Sequence, residues 1–350
     1  MRSRTQDLLL AGLFVATIWL PIVVAPFADG FSTFEARRPA PFPELKLDSG
    51  TLSRFSGAFE LWQRDHFGAR SELIQWQSLL KYRLLHLSSS PDVVLGKEGF
   101  LHYRPELEAH LPGTAFTPEE LQRWRAHLES EQAFAAAHGA RFLFLIAPDK
   151  STIYPETLPD DARWRSPVSR LDQLIAALGP RPAVELIDPR DRLRSLKAQG
   201  LVYEKTDTHW NERGALAATA LIAERLGRVL PPFEEQPRPA GEGGDLARML
   251  SLPRLLREDR VQERRQPGQA AAAPKGAVYL LHDSFGLRLL PLLPAVFERV
   301  EAAVGQVPRV EPLQALQPDA IVVELVERSL GGEPPPDPLP PPPDRPAAAR

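Results

Sequence analysis

The sequence predicts an α/β protein: a mainly parallel sheet covered by helices on both faces. Three observations point there. From about residue 117 onward, short apolar runs alternate with segments of helical periodicity. RFLFLIAP (141–148) is almost wholly apolar, as strands buried on both faces are, and VYLL and IVV recur later in the same style. The punctuation between runs belongs to helices: Thr117-Pro118-Glu119-Glu120 is a capping box with proline at the first helical position, and Gly139 ends that helix.

Taken in order, Leu8–Ala28 is a stretch of 21 residues without a charge. At 1.5 Å per residue such a helix spans a bilayer core of about 30 Å. Twelve of its residues are Leu, Ile, Val or Phe, which favours insertion by about 4–7 kcal/mol. Arg2 and Arg4 precede it and favour a cytoplasmic N-terminus. A cleaved signal peptide is the competing reading, but its apolar region is shorter, and Pro26 spoils the small-x-small site before Ala28. The expected layout is a cytoplasmic 1–7, an uncleaved anchor over 8–28 and a proline-rich stem over 29–50. A helical region over 51–90, one large domain over 91–330 and a disordered proline-rich tail over 331–350 follow. The anchor would place the domain outside the cytoplasm, in the periplasm of a cell with two membranes.

Within 52–87 the apolar residues Phe55, Phe59, Trp62, Leu73, Ile74, Leu79 and Leu80 recur at helical spacing, and Gly68 separates two helices. PDVVLGKEGFLHYR (91–104) reads as a hairpin turning at Lys97-Glu98-Gly99. SRLDQLIAAL (169–178) and RDRLRSLKAQ (190–199) are helical, with the strand AVELID (183–188) between them. A further helix opens after Asp207-Thr208-His209 and ends near Gly227. GAVYLLHDSF (276–285) is a strand entering a loop, LRLLPLLPAVFERV (287–300) a helix interrupted by prolines, and DAIVVELVER (319–328) the last strand. Residues 231–275 are an excursion: a lid, an acceptor platform or a plain exposed insertion.

Composition excludes several functions. With 42 basic against 45 acidic residues the net charge is −3, which argues against nucleic acid as a partner. The absence of cysteine removes disulfides, thiolate catalysis and Cys-ligated metal. No histidine pair has metal-ligand spacing on a helix, so neither metal nor cofactor is implied.

In open α/β sheets ligands bind at the carboxyl ends of the strands. Two segments arrive there with chemistry. The strand at 277–281 delivers Ser284 to a turn and then a helix start, where the N–H groups of Phe285 and Gly286 are candidate oxyanion donors. A serine hydroxyl needs a base. His209 is the candidate, with Asp207 two residues before it to orient the ring. The bland alternatives are open at this point: Asp207 or Asn211 as a helix cap, Trp210 as core, and a serine that merely follows a strand. Asp283 reads as a loop-fixing residue. Lys150 and Arg328, near strand ends, are candidate substrate contacts or plain solvated charges.

The islands FSGAFELWQRDHFGAR, VVLGKEGFLHYR, IAPDKSTIYPETLP, TDTHWNERGA, GDLARMLSLP, LLHDSFG and VVELVER stand in this order over roughly 50–330. Together they resemble the periplasmic alginate O-acetyltransferase family (AlgJ/AlgX-like), relatives of the SGNH/GDSL hydrolases. The resemblance implies a three-layer SGNH-like fold, with Ser284 as nucleophile, His209 as base and Asp207 as orienter. It also implies acetyl transfer to an exported polysaccharide, with a membrane-bound O-acyltransferase (MBOAT-type) partner supplying acetyl. Two positions depart from the pattern: His282 stands where the family often has glycine, and Phe100 where it often has tryptophan. Two alternatives to the transferase keep the same chain: an acetylesterase with the same triad, and a non-catalytic polysaccharide-binding or scaffolding subunit.

Overall fold

The computed structural model describes residues 4–24, 38–44, 51–67, 70–160, 168–179, 184–265 and 273–336. The chain divides into two compact units, 1–90 with 248–253, and 91–247 with 254–350.

The first unit contains α1 (Arg4–Val24), α2 (Thr51–Asp65) and α3 (Arg70–Leu80). Leu8, Leu9, Leu13, Phe14, Ile18 and Trp19 of α1 are exposed. Among the described residues no helix is long and apolar enough to cross a membrane. The span expected over 8–28 is therefore not shown, and its last four residues lie outside the described set. On α2, Phe55, Phe59 and Trp62 share one face and stack in succession, and Phe42 packs edge-on against Phe59 and Trp62. The buried Asp65 accepts the Ala40 N–H at 2.9 Å. α3 continues into a π turn, Lys81–Leu85, which His86 ends at φ 51. Most of the expected stem (45–50 and the residues before 38) and the tail from 337 lie outside the described residues.

The second unit opens with an antiparallel hairpin, β1 (Val93–Leu95) and β2 (Leu101–Tyr103). Its turn uses Glu98 at φ 55 and Gly99 at φ 81. Then come α4 (Arg104–Glu108), α5 (Pro118–Ala137), β3 (Arg141–Ala147), α6 (Lys150–Ile153), α7 (Arg170–Leu178) and β4 (Glu185–Ile187). After these the chain forms α8 (Arg190–Leu196), α9 (Glu212–Arg225), β5 (Phe233–Gly241), α10 (Asp245–Met249) and β6 (Glu258–Arg265). It finishes with β7 (Ala277–His282), β8 (Arg299–Val304), α11 (Val310–Leu316) and β9 (Ala320–Val326).

The main sheet has the order β4-β3-β9-β7-β8, and all its pairs are parallel. Strand periodicity sends alternate residues to opposite faces. Leu143, Leu145, Val278, Leu280 and Val322 meet α8 and α9 through Leu193, Ala215, Ala218 and Ile222. Phe142, Phe144, Tyr279, Leu281, Ile321 and Val323 meet α5, α7 and α11 through Trp124, Leu128, Leu171, Leu174 and Leu313. The result is three layers. β3, β7 and β9 are buried almost end to end, which is why they read as unbroken apolar runs. The capping box at the start of α5 forms in both directions, Thr117 Oγ1 accepting from Glu120 N and Glu120 Oε2 from Thr117 N.

One expectation fails. The helix expected over 287–300 is absent; short 3-10 turns at Gly286–Arg288 and Leu293–Ala295 lead into β8, an edge strand. Pro291 and Pro294 remove N–H donors and disfavour the α conformation just before them. The excursion at 231–275 contains an antiparallel ribbon, β5 with β6.

Candidate active site

β7 ends at His282, and the next two residues are Asp283 and Ser284. The second arm of the site is the loop 203–210. An antiparallel bridge between Tyr203 and Trp210 pinches it shut, and the Asn211 N–H donates to the Val202 carbonyl at 2.9 Å. Asn211, not Asp207, caps α9: its side chain accepts the Gly214 N–H at 3.1 Å. Asp207 is thus free for other partners. Trp210 is fully buried and does more than fill core. Its Nε1 donates to the Phe285 carbonyl at 3.1 Å and its ring meets the Phe285 ring edge-on, joining segments 75 residues apart.

Across that join, His209 Nε2 lies 2.8 Å from Ser284 Oγ, and His209 Nδ1 lies 2.6 Å from Asp207 Oδ1. Asp207 Oδ1 also accepts the His209 backbone N–H at 3.0 Å. With the Nδ1 proton directed at the carboxylate, Nε2 presents its lone pair to the serine hydroxyl. Ser284 is exposed and His209 half-buried. Burial by itself raises the Asp207 pKa. The hydrogen bonds and charge of His209, with the charge of Arg288, outweigh it and hold the carboxyl well below the usual carboxylate range.

The floor of each arm is a polar network. Under the 203–210 loop, Lys150 is fully buried and its Nζ donates to the carbonyls of Glu204 (3.3 Å), Lys205 (3.1 Å) and Asp207 (2.7 Å). Glu258 accepts the Lys205 N–H at 3.2 Å and also the Thr206 N–H. Under Ser284, Asp283 accepts from Phe285 N and Val326 N, each at 2.8 Å, and its own N–H donates to Glu324 at 3.2 Å. Burial and then the neighbouring charge of Asp283 push the Glu324 pKa well up.

Three expected roles are corrected by this geometry. Lys150 is no substrate contact, because it is sealed beneath the loop it holds. The Phe285 N–H is taken by Asp283 Oδ1, and the Gly286 amide faces Glu324, so neither is the open oxyanion donor. Gly286 lacks a side chain for another reason: a Cβ there would lie 2.3 Å from His282 Cβ. Among the described residues the Ser284 N–H itself has no acceptor. Arg328 donates to the buried Asp149 at 2.7 Å and stacks over Tyr103 and Phe285, the residue after Ser284.

Sequence reasoning passed over Asp245 as a site residue. Its Oδ1 accepts the Thr208 N–H at 2.8 Å and its Oδ2 the Thr208 hydroxyl at 2.5 Å. The only signal was its place in GDLARMLSLP. Among the described residues, two groups bring a histidine nitrogen and two carboxylates within 4.8 Å of one another: Asp207, His209 and Asp245, and His110, Asp149 and Glu327. In both, the carboxylates already hold protein donors, Thr208 in the first, Arg328 and Thr152 in the second.

A parallel sheet between two helical layers carries these side chains at its carboxyl edge, where open α/β sheets bind their ligands. The family of SGNH hydrolase-like domains of the acetyltransferase AlgX matches residues 93–283, more than half of the chain. The chain belongs to this family, and is an O-acetyltransferase of SGNH-like fold. It is 27% identical over 293 residues to the probable alginate O-acetylase AlgJ of Azotobacter vinelandii, covering 78% of this chain and 70% of that one. It is 26% identical over 241 residues to the probable alginate O-acetylase AlgJ of Pseudomonas syringae pv. tomato, covering 64% and 59%. The solved O-acetyltransferase domain of Pseudomonas putida AlgJ shares the fold, with a TM-score of 0.51, 23% identity, and coverage of 69% of this chain and 92% of that domain.

Proposed function

We propose that the chain moves acetyl groups onto hydroxyls of an exported, alginate-like polysaccharide through an acetyl-serine intermediate on Ser284. The observation that carries this reading is the continuous contact from Asp207 through His209 to Ser284, at 2.6 and 2.8 Å. In the first half-reaction Ser284 Oγ bonds to the acetyl carbonyl carbon and its proton passes to His209 Nε2. The Ser284 N–H is the free donor beside the developing oxyanion. Collapse breaks the bond to the donor's leaving group, which takes the proton from His209. In the second half, a sugar hydroxyl gives its proton to His209 and attacks the acetyl carbon; the bond from that carbon to Ser284 Oγ then breaks, and His209 returns the proton to Oγ.

The uncharged stretch 8–28 and the outward apolar side chains of α1 support a tether in the inner membrane with the catalytic unit in the periplasm. A membrane-bound acyltransferase of MBOAT type is the proposed acetyl supplier. Ser284 is exposed, which favours access by a bulky polymer and also leaves the intermediate open to water.

The test uses the full chain in detergent with p-nitrophenyl acetate, read by intact mass. The expected result is one acetyl group added to wild type and none to Ser284→Ala or His209→Ala. Oligosaccharides of uronic acids are then added. Acetylated oligosaccharide in excess over free acetate supports the transferase; free acetate alone, unchanged by acceptor, makes the protein an esterase. No adduct on a folded wild-type chain overturns the reading in favour of a scaffolding subunit.

A further inference from the structure

His209 Nδ1 does not face Asp207 alone. Asp245 Oδ2 lies 3.5 Å away, and the Thr208 hydroxyl, which donates to that same oxygen, lies 3.2 Å away. The Asp245 N–H in turn points at Asp207 Oδ2, at 3.4 Å. The segment carrying Asp245 is fitted to the loop. Gly244 N donates to Thr206 Oγ1 at 2.9 Å, and the N–H groups of Leu246 and Ala247 converge on the Thr206 carbonyl. A Cβ at Gly244 would lie 2.4 Å from Asp207 Cβ, so only glycine allows this approach. Two carboxylates therefore flank one ring nitrogen, and the segment carrying Asp245 is held there by backbone contacts to Thr206 that do not involve the histidine.

We infer that Asp245 is a second positioning carboxylate, which stabilises the His209 imidazolium formed when Ser284 gives up its proton. The inference rests on the proposed reading of Ser284 as nucleophile. When Oγ bonds to the acetyl carbon, Nε2 gains the proton and the ring becomes a cation. Asp207 offsets that charge through its hydrogen bond, and Asp245 through space and through Thr208. The groups around the ring are accounted for: Asp207 and Asp245 on the Nδ1 side, Ser284 at Nε2, and the Phe285 ring against its face at 4.7 Å. Two cations act on the carboxylates. Arg288 acts on Asp207 and is itself 3.6 Å from Glu204, and Lys150 acts on both carboxylates from beneath. Glu258 faces Lys150 and the backbone amides of 205–206.

The test is a pH profile of kcat/KM with p-nitrophenyl acetate on the full chain and on Asp245→Asn, Asp245→Glu, Asp207→Asn and Asp207→Asn/Asp245→Asn, with thermal unfolding alongside. Asparagine keeps the shape that holds Thr208 and removes the charge. Asp245→Asn is expected to lose about tenfold in kcat with KM unchanged, its acid limb moving to lower pH by about one pH unit. Asp245→Glu restores the limb. Asp207→Asn is expected to lose about 100-fold, short of the roughly 10⁴-fold seen where a triad has a single carboxylate, and the double variant falls to the level of His209→Ala. An acid limb in Asp245→Asn that coincides with wild type overturns the inference, whatever the loss in rate, and leaves Asp245 a prop for Thr208. A wild-type chain that forms no adduct on Ser284 fails earlier and overturns the functional reading together with it.

Discussion

The two arms of the site are held by different means. Ser284 follows directly from β7, a strand with hydrogen-bonded neighbours on both sides. His209 stands on a loop with no regular structure, clamped from below by Lys150 and Glu258 and from the side by the 243–247 segment. Ser284 thus inherits its position from the sheet, whereas His209 depends on buried charges and backbone donors. Damage to the sheet arm should cost stability first. Damage to the loop arm should cost activity even where the fold survives.

The largest effect is expected from Lys150→Met. It leaves three carbonyls without their donor and the buried Glu106 without a cation that faces it. Breaking a buried charged network in this way costs about 3–5 kcal/mol. The shift of Asp207 and His209 that follows should lower acetylation of Ser284 by about 100-fold, since ångström-scale misplacement has that effect. Urea unfolding and the rate of adduct formation measure the two. A variant with normal activity would show that the loop holds itself without the ammonium group.

How much of this was legible follows the same division. The sheet arm declares itself: apolar runs buried on both faces have a distinctive appearance, and Ser284 follows one of them. The Asp-x-His of the loop arm was legible as a pair, because residues two apart share a side of an extended segment. What holds the loop was not. Lys150 stands at a strand end, where a lysine reads equally as ligand or solvated charge, and only tertiary packing turns it under the loop. Asp245 lies 38 residues beyond Asp207, and no spacing rule links them. The Phe285 amide was the avoidable error. Aspartate side chains commonly bind their own backbone two residues on, so Asp283 already warned that this donor was taken. β8 was missed because Leu- and Pro-rich sequence before it suggested a broken helix, and an edge strand lacks the doubly buried pattern.

The charged floor beside Lys150 can be probed by pH. His110 sits 3.7 Å from Asp149 and 3.4 Å from the Thr152 hydroxyl. Burial lowers the His110 pKa, but the close contact with Asp149 and the charges of Glu327 and Asp149 prevail and lift it to about 9. Burial pushes the Asp149 carboxyl up, but Arg328 donates to it at 2.7 Å and favours its charged form, which favours placing the shared proton on the imidazole. A folded pKa above the free value of 6.5 means the contribution is complete below pH 6.5 and disappears as pH rises through about 9. Wild type should lose up to about 3 kcal/mol over that window, and His110→Gln should show a flatter profile. Denaturant midpoints from pH 6 to 10 decide it. Parallel slopes in the two proteins would take His110 out of the network.

On the sheet arm, Gly286→Ala forces a methyl against the His282 ring, at 2.3 Å from Cβ and 2.7 Å from Cγ. Overpacking of this kind costs about 1–3 kcal/mol. His282→Gly in the same chain should recover most of that loss, because the colliding side chain is gone. Failure of the rescue, measured by thermal unfolding, would mean that the Gly286 backbone itself, not the contact with His282, requires glycine.

The smallest effect tests the join between the arms. Trp210→Phe keeps an aromatic ring in the core and against Phe285 but deletes the Nε1–H that binds the Phe285 carbonyl. One hydrogen bond of this kind contributes about 1 kcal/mol to stability. If the arms are held separately, as their different supports suggest, adduct formation on Ser284 should fall by no more than the stability change implies. A loss of activity of about 100-fold with a stability change near 1 kcal/mol would instead make Trp210 the part that sets the distance from His209 to Ser284. The two floors would then matter less than the bond between the segments they carry.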